Sequence, residues 1–556
     1  MSVSDFLARG GAWTVPPAIP VDLNGPDGRP YEKLPPDSQE RPLAALFAKV
    51  AGRHPDAPAL DDGTLRLSYR ETAERAASLA RRIAASTPPD VLVGVCLADA
   101  AACLGILACF AAARPCLVLD DTLPDERRTA IMRDAGLAAC IVAREGATPL
   151  PEGVAAIRFA AASADAALSL PADPPPIPPD APALILYTSG STGQPKGIVH
   201  GQRAILMRMA QAIDTWHVGP GDRLLSLASP ATISGIVDLF STLLSGAMLL
   251  KLDPRRVGWR GVLALAADRR ITCFHAVPAV LRRLCAVAPD AASLLAASFG
   301  GVQIARISGE EVLRSDVERL RRMLPPGAYI HTVYGMTEIL ALLGWYVTDD
   351  AIAPSAPMLS AQVPSGYLLP GHSYCILDEQ GRPVPDGEAG ELVVRSRHLA
   401  LGEWREGRCV QGSRLADDPD DPSCRILRTG DVVRRRPDGL YQVLERRDRQ
   451  VKINGQRVEI TEVEDALRRM PDIADAAVAA RHDGATVGLL AVIVPVTAPL
   501  CDAAALLRSI RERLARQLPA AMVPARIVLA EQLPCLPGGK IDRAALLQLG
   551  GSAGVA

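Results

Sequence analysis

TSGSTGQPKG, residues 188–197, follows directly on the apolar run LILY at 184–187 and gathers Gly, Ser and Thr around a single lysine, Lys196. Two readings compete for it. Gly, Ser and Thr compose flexible surface linkers. Backbone N–H groups, hydroxyls and one ammonium also compose polyphosphate cradles. A Walker A loop is excluded, because four residues lead from Gly190 to Pro195 and not to glycine. The stretch is no GxSxG nucleophile elbow either. Alone it divides evenly between a polar turn and a phosphate loop.

The surrounding chain narrows the classes. Its 556 residues exceed one compact core and suffice for two or three domains. With 49% hydrophobic and 22% charged residues it is expected to fold as a soluble globular protein. A formal net charge of −2 argues against a general nucleic-acid binder. The 12 cysteines form no CxxC pair and no Cys/His cluster at zinc spacing. The start, MSVSDFLARGGAW, has no secretory pattern, so the thiols are expected reduced in a cytoplasm. The most apolar stretch, AACLGILACFAAARPCLVL, is broken by Arg114 and Pro115 and does not suit a bilayer span.

Around the loop, strand-like apolar runs alternate with Ala- and Arg-rich helical ones: VLVGVCL, AACLGILACFAAA, PCLVLD, DERRTAIMRDAG, AACIVA, and later DRLLSL, LSGAMLLKL and ITCFHAV. That rhythm predicts parallel βαβ units. Residues 1 to about 40 read as an irregular arm, and LPADPPPIPPDAP (170–182) as a proline-dense connector. Between 360 and 448 short runs with Gly/Asp turns predict a β-rich subdomain. The last hundred or so residues carry an α+β pattern of their own. The expected fold class is α/β: a large N-terminal domain, 1–448, of stacked α/β subdomains plus the β-rich one, and a small mobile α+β domain, 449–556.

Four further motifs decide the loop: VYGMTE (333–338), RTGDVVRRRPDG (428–439), ERRDRQVKINGQRVE (445–459) and LPCLPGGKIDR (533–543). In this order and spacing, over about residues 40–548, the chain resembles the adenylate-forming superfamily, and most closely the adenylation domains of nonribosomal peptide synthetases. The resemblance implies activation of a carboxylic acid with ATP and Mg²⁺ to an acyl-adenylate, then transfer to a thiol. Thr188, Ser189, Gly190, Thr192 and Lys196 are implied to wrap the β- and γ-phosphates. Their chemistry suits it, since glycines admit the backbone, hydroxyls donate and Lys196 neutralises charge. Tyr334, with Gly335, is implied to lie at the adenine, Thr337 at the α-phosphate, and Glu338 on Mg²⁺. Asp431 is implied to accept from the ribose hydroxyls, with Arg446 as a second ribose or phosphate contact. Lys540 aligns with the family's catalytic lysine, whose ammonium stabilises charge building as the acid oxygen attacks phosphorus. Gly538 and Gly539 stand before it where Asn-Gly is usual. Asp448 matches the hinge about which the small domain rotates, and Lys452 is implied to face the site in the second, thiol-transfer pose.

The acid pocket departs from the family. Members that load α-amino acids carry an aromatic–Asp pair ahead of a turn glycine. In ASPATISGIVDLFSTLLSGAML (228–249), counting thirteen back from Gly246 puts Ile233 at the Asp position and Thr232 at the aromatic one. Asp238, five residues on and about 140° round a helix, is out of register to replace it. An ammonium buried at Ile233 would lack its partner, at a cost of roughly 3–5 kcal/mol. The other pocket positions by the same alignment are Ser234, Val237, His275, Arg306, Ser308, Val333, Ala341 and Leu342. This gives an apolar, medium-sized floor with two donors, His275 and Arg306. The opposing reading turns Arg306 to solvent and makes His275 a satisfied core histidine.

The leading expectation is an enzyme that loads an acid lacking a free α-amino group (2-oxo, hydroxy, dicarboxylic or aryl) onto the phosphopantetheine of a carrier protein in trans. No carrier segment of the LGG(D/H)S kind follows, since LGGSAGVA departs from it. Either the acceptor is separate or the chain is trimmed from a larger synthetase. The alternatives are an acyl-CoA ligase, an atypical amino-acid adenylating enzyme, and a silent nucleotide-binding scaffold. Neither nucleic acid nor membrane is an expected partner.

Overall fold

The run VLVGVCL shows how sequence becomes layers here. Its strand, Val93–Cys96, is buried at all four positions, as a strand covered on both faces must be. The following helix, Asp99–Ala111, is buried nearly all round and packs between two sheets. A computed structural model describes residues 13, 25–26, 28–143, 148–159, 170, 177–188, 195–286, 292–348, 362–446, 450–483, 486–496, 503–534 and 541–552.

In chain order the strands of the first two sheets are β1 (Pro58–Asp61), β2 (Arg66–Ser68), β3 (Val93–Cys96), β4 (Cys116–Val118), β5 (Ala139–Val142), β6 (Ala155–Arg158), β7 (Pro182–Thr188), β8 (Lys196–Gly201), β9 (Arg223–Ser226), β10 (Met248–Lys251), β11 (Cys273–Ala276), β12 (Ile304–Ser308), β13 (Tyr329–Tyr334), β14 (Leu343–Tyr346) and β15 (Tyr367–Leu368). Then come β16 (Ser373–Leu377), β17 (Ala389–Ser396), β18 (Gly402–Arg405), β19 (Arg408–Val410), β20 (Leu415–Asp417), β21 (Arg425–Arg435) and β22 (Tyr441–Arg446). One sheet of eight strands runs β19-β18-β8-β7-β4-β3-β5-β6, and one of nine runs β15-β14-β13-β12-β11-β9-β10-β1-β2. The pairings β3–β4, β3–β5, β5–β6 and β4–β7 are parallel in the first. In the second, β1–β10, β10–β9, β11–β9, β11–β12 and β12–β13 are parallel. The βαβ rhythm of the sequence thus becomes two wound sheets. A single apolar core joins them through helices Leu43–Arg53, Tyr69–Ser86, Asp99–Ala111, Gln202–Trp216 and Ile233–Ser245.

The β-rich stretch divides between two sheets. β16, β17, β20, β21 and β22 form a five-stranded antiparallel sheet. β18 and β19 leave it and cover the edge of the eight-stranded sheet, Trp404 lying opposite Gly197. The Trp404 indole is buried and donates to the Ala135 carbonyl at 3.0 Å. Covering a bare edge with a buried tryptophan is the physical reason, since an uncovered edge invites other chains.

After residue 449 come the hairpin β23 (Gln450–Ile453) and β24 (Gln456–Glu459), and a sheet of β25 (Ile473–Asp483), β26 (Thr486–Pro495) and β27 (Arg526–Leu529). With helices Ile460–Arg468 and Ala503–Gln517 they build a separate apolar core. A buried ion pair, Arg127 to Glu462 at 2.6 Å, ties this unit to helix Asp125–Ala135. The expected boundary and hinge at Asp448 lie outside the described residues. Among the described residues no helix is long and apolar enough to cross a membrane.

Candidate active site

The opening loop connects two antiparallel strands. Thr188 ends β7 and Lys196 begins β8, opposite each other in register. Ser189, Gly190 and Thr192 lie outside the described residues. At the loop's feet the Thr188 hydroxyl is buried with no hydrogen-bond partner among the described residues. Lys196 is buried too, with its ammonium 3.1 Å from Glu403 and 3.8 Å from Glu338.

Glu338 ends the VYGMTE run, and Arg457 of β24 reaches it with one nitrogen 3.0 and 3.1 Å from its two oxygens. Burial alone would raise the Glu338 carboxyl. Arg457 first and then Lys196 reverse that and hold it well below the usual carboxylate range. Glu338 is therefore an ionised carboxylate beside a lysine at the foot of the loop. One carboxylate plus phosphate oxygens is what Mg²⁺ takes, so the residue present fits that ion, with Arg457 standing on the same oxygens in this pose. Gly335 is sterically required in the turn. A Cβ there would sit 2.5 Å from the Leu340 carbonyl oxygen and 2.8 Å from the Ala341 Cα. Thr337 is half-buried on this turn.

Beside it, Tyr334 donates its hydroxyl to Asp431, which is buried on β21. Arg446, opposite Asp431 in register, ion-pairs with it at 3.1 Å. Lys452, at the tip of the β23–β24 hairpin, donates to the Gly335 carbonyl at 3.2 Å and lies 5.8 Å from the centre of the Tyr334 ring. Burial, then the neighbouring Arg446, pushes its ammonium down to about 8. The backbone N–H of Gly455 donates to Glu310 at 2.8 Å. The hairpin therefore seats on the residues that the sequence assigns to the nucleotide. Lys540 lies outside the described residues.

The positions expected to line the acid pocket lie on helix Ile233–Ser245, at the ends of β11–β13 and just beyond β13. Thr232 caps the helix, accepting from the Gly235 N–H at 3.2 Å. Ile233 and Ser234 open its first turn half-buried, and Val237 is buried one turn on. Ala341 and Leu342 are buried beyond the VYG turn, and Val333 lies opposite Ser308. The floor corrects the apolar expectation. Asp238 is fully buried and accepts from Ser226 at 2.6 Å while meeting the His275 Nδ1 at 2.7 Å. The other His275 nitrogen is 2.8 Å from the Ser308 hydroxyl. His275 is thus the satisfied core histidine, and burial, outweighing Asp238, keeps it below its ordinary pKa. Arg306 does not face solvent. It is 4% exposed, stacked 4.6 Å above the Trp216 ring and 3.6 Å from Asp238.

Sequence reasoning missed Glu403, Arg457, Glu310 and Arg208. Arg457 lies inside a quoted motif, two residues before Glu459, and its charge was the available signal. Glu403 pairs with a lysine 207 residues away in sequence, and such a pairing leaves no local pattern.

The AMP-binding enzyme family profile matches residues 47–404, and that of the AMP-binding enzyme C-terminal domain matches residues 462–540. The chain is similar to phosphinothricin tripeptide synthetase PhsC of Streptomyces viridochromogenes, 32% identical over 91% of this chain and 45% of that protein. It is 31% identical to enterobactin synthase component F of Escherichia coli, over 91% of this chain and 39% of that protein. The chain thus spans less than half the length of these curated relatives. Among solved structures it resembles IdnL1, with a TM-score of 0.73 at 27% identity over 89% of this chain and 99% of that one.

Proposed function

The chain belongs to the AMP-binding enzyme family as an ATP-dependent, adenylate-forming ligase of the nonribosomal-synthetase kind, and from that premise we propose that it activates a carboxylic acid lacking a free α-amino group. One observation carries this reading. At the position where an amino-acid ammonium would need an acid stands Ile233, half-buried against the core. Asp238, the nearest acid on the helix, already has its oxygens engaged by Ser226 and His275, with Arg306 nearby. A buried ammonium there would go unpaired, which costs roughly 3–5 kcal/mol.

In this reading Lys196 and the loop 188–194 bind the triphosphate, and Tyr334 flanks the adenine. Thr337 contacts the α-phosphate, Asp431 accepts from the ribose and Arg446 supports it. Glu338 would hold Mg²⁺, which supplies charge neutralisation on the phosphates. Lys540 stabilises the transition-state charge from the C-terminal unit, 449–556, and Asp448 is its hinge. The seating of the β23–β24 hairpin on Tyr334 and Gly335 supports a role for Lys452 in the pose that passes the acyl group to the phosphopantetheine thiol of a separate carrier protein.

ATP–pyrophosphate exchange with matched α-amino, 2-oxo, 2-hydroxy, aryl and dicarboxylic acids tests the reading, followed by mass analysis of an added phosphopantetheinylated carrier. Exchange with a non-amino acid, at least ~100-fold above its amino twin, is the expected result. Strong exchange confined to ordinary α-amino acids would sink it.

A further inference from the structure

Below the acid pocket lies a row of polar side chains that a hydrophobic acid would not need. Ser226 on β9, His275 on β11, Arg306 on β12 and His331 on β13 are register partners, strand to strand. Side chains of partnered residues share a face, and this face is covered by helices Gln202–Trp216 and Ile233–Ser245. From the second helix comes Asp238. From the first come Trp216, whose indole N–H lies 3.3 Å from the His331 Nδ1, and Arg208, which is 2% exposed.

The charges do not balance. Arg208 and Arg306 are two permanent cations. Burial pulls both guanidinium groups below their ordinary pKa and Asp238 acts the other way, while Asp238 itself, against its own burial, is held below the usual carboxylate range by His275 and Arg306. His275 and His331 add no charge, since burial holds both below their ordinary pKa. Among the described residues, the Arg306 Nε and Nη1 and the Arg208 Nε have no hydrogen-bond partner. Among the described residues no carboxylate lies within ion-pair distance of Arg208. A buried, unpaired guanidinium is costly, and proteins keep such groups where an anion arrives to pair with them.

The row also lies at the right depth. Ser308, on the same face of β12, is one step nearer the carboxyl ends of the strands and faces Val333, next to Tyr334. Ligands of wound sheets enter at those ends. An acid with its reacting carboxyl near Thr337 therefore points its far end past Ser308 toward Arg306.

We infer that Arg306 and Arg208 bind a second, anionic group at the far end of the substrate, so that the enzyme's acid is a dicarboxylate activated at one end only. This rests on the reading that the pocket takes an acid without an α-amino group, and it narrows that class to one member. Asp238 cancels one cation and orients Arg306. The distal carboxylate neutralises the other.

The test pairs straight-chain dicarboxylic acids of four, six and eight carbons with their monocarboxylic twins in pyrophosphate exchange, using the full chain. One dicarboxylate is expected to exceed its twin by at least ~100-fold in kcat/KM, because a site built for a polar group rejects the analogue lacking it. Arg306→Met is expected to erase that preference and Arg208→Met to reduce it. Thermal unfolding provides a readout without turnover: the preferred dicarboxylate raises the wild-type Tm and leaves that of Arg306→Met unmoved. Exchange confined to monocarboxylic acids overturns this proposal and leaves the preceding reading standing. Exchange confined to α-amino acids overturns both. A preference or Tm shift that survives in both variants overturns the roles of the arginines.

Discussion

Arg127 and Glu462 provide the sharpest test of how the C-terminal unit sits on the rest of the chain. Their side chains are 8% and 1% exposed and 2.6 Å apart. At that separation two unit charges attract by about 6 kcal/mol at an effective dielectric of about 20, and much of this offsets the water both groups give up. Removing one side chain takes this ion pair from the other, at a cost of up to about 3–5 kcal/mol. That penalty is capped by the docking free energy itself, since a variant can relieve it by releasing the unit. Arg127→Met and Glu462→Leu should each lower the urea midpoint of the first unfolding transition. The double variant, apolar on both sides, should recover most of the loss, as replaced buried pairs do. The quantity to measure is the coupling energy of the cycle, expected at several kcal/mol. If each single change stays within ~0.5 kcal/mol, as surface substitutions do, and the two simply add, the pair is not formed in solution. The docked hairpin described above would then not be the resting arrangement.

Three further outcomes follow from the site. Lys540→Ala should cut acid-dependent exchange by about 10²–10³-fold, the usual loss of one transition-state charge partner. Lys452→Ala should spare exchange and slow loading of the carrier, so a variant at 452 that loses both activities equally would refute the division of roles. Ile233→Asp supplies the missing carboxylate and should shift the exchange ratio toward α-amino acids by about tenfold or more; an unchanged ratio would show that the ammonium position lies elsewhere. Acid should destabilise the fold through buried histidines. Burial pushes His200 down to about 4 and His372 down to about 3. The unfolded chain takes up protons near 6.5 that the folded one refuses, so stability is full above that pH and is lost as pH falls toward 4 and 3. Urea midpoints from pH 7.5 to 4.5 should fall accordingly, less steeply in His200→Gln, and a flat wild-type profile would refute the account.

The wound sheets were readable because their signal is local and repeated. VLVGVCL and ITCFHAV are apolar runs bounded by helical ones, and each became a strand buried on both faces. The destination of β18 and β19 was not readable. Nothing in GEWR announces that Trp404 will pack behind β8 and not on β17, because edge covering depends on which edge the distant chain leaves open. Contact between elements some two hundred residues apart is a property of the folded surface, and short-range patterns do not carry it.

The site divides along the same line. Tyr334, Asp431, and the pair Arg446 and Lys452 stand in three separate motifs, yet the fold brings them within contact of one another or of the VYG turn. Their motifs could be read because each is a short run with its own turn chemistry. The pocket floor could not. Asp238 had been set aside because its helical angle turns it away from Ile233, and that angle is what aims it at Ser226, His275 and Arg306. Arg208 offers no sequence signal at all, since the two arginines of QRAILMRMAQ, Arg203 and Arg208, look like the polar side of a surface helix. Only the helix's burial between two sheets turns Arg208 inward. A charge with no carboxylate partner among the described residues, in a place where charge is expensive, then becomes the most informative residue for the proposed pocket. The fold carries that cost, and substrate chemistry is the natural account of why.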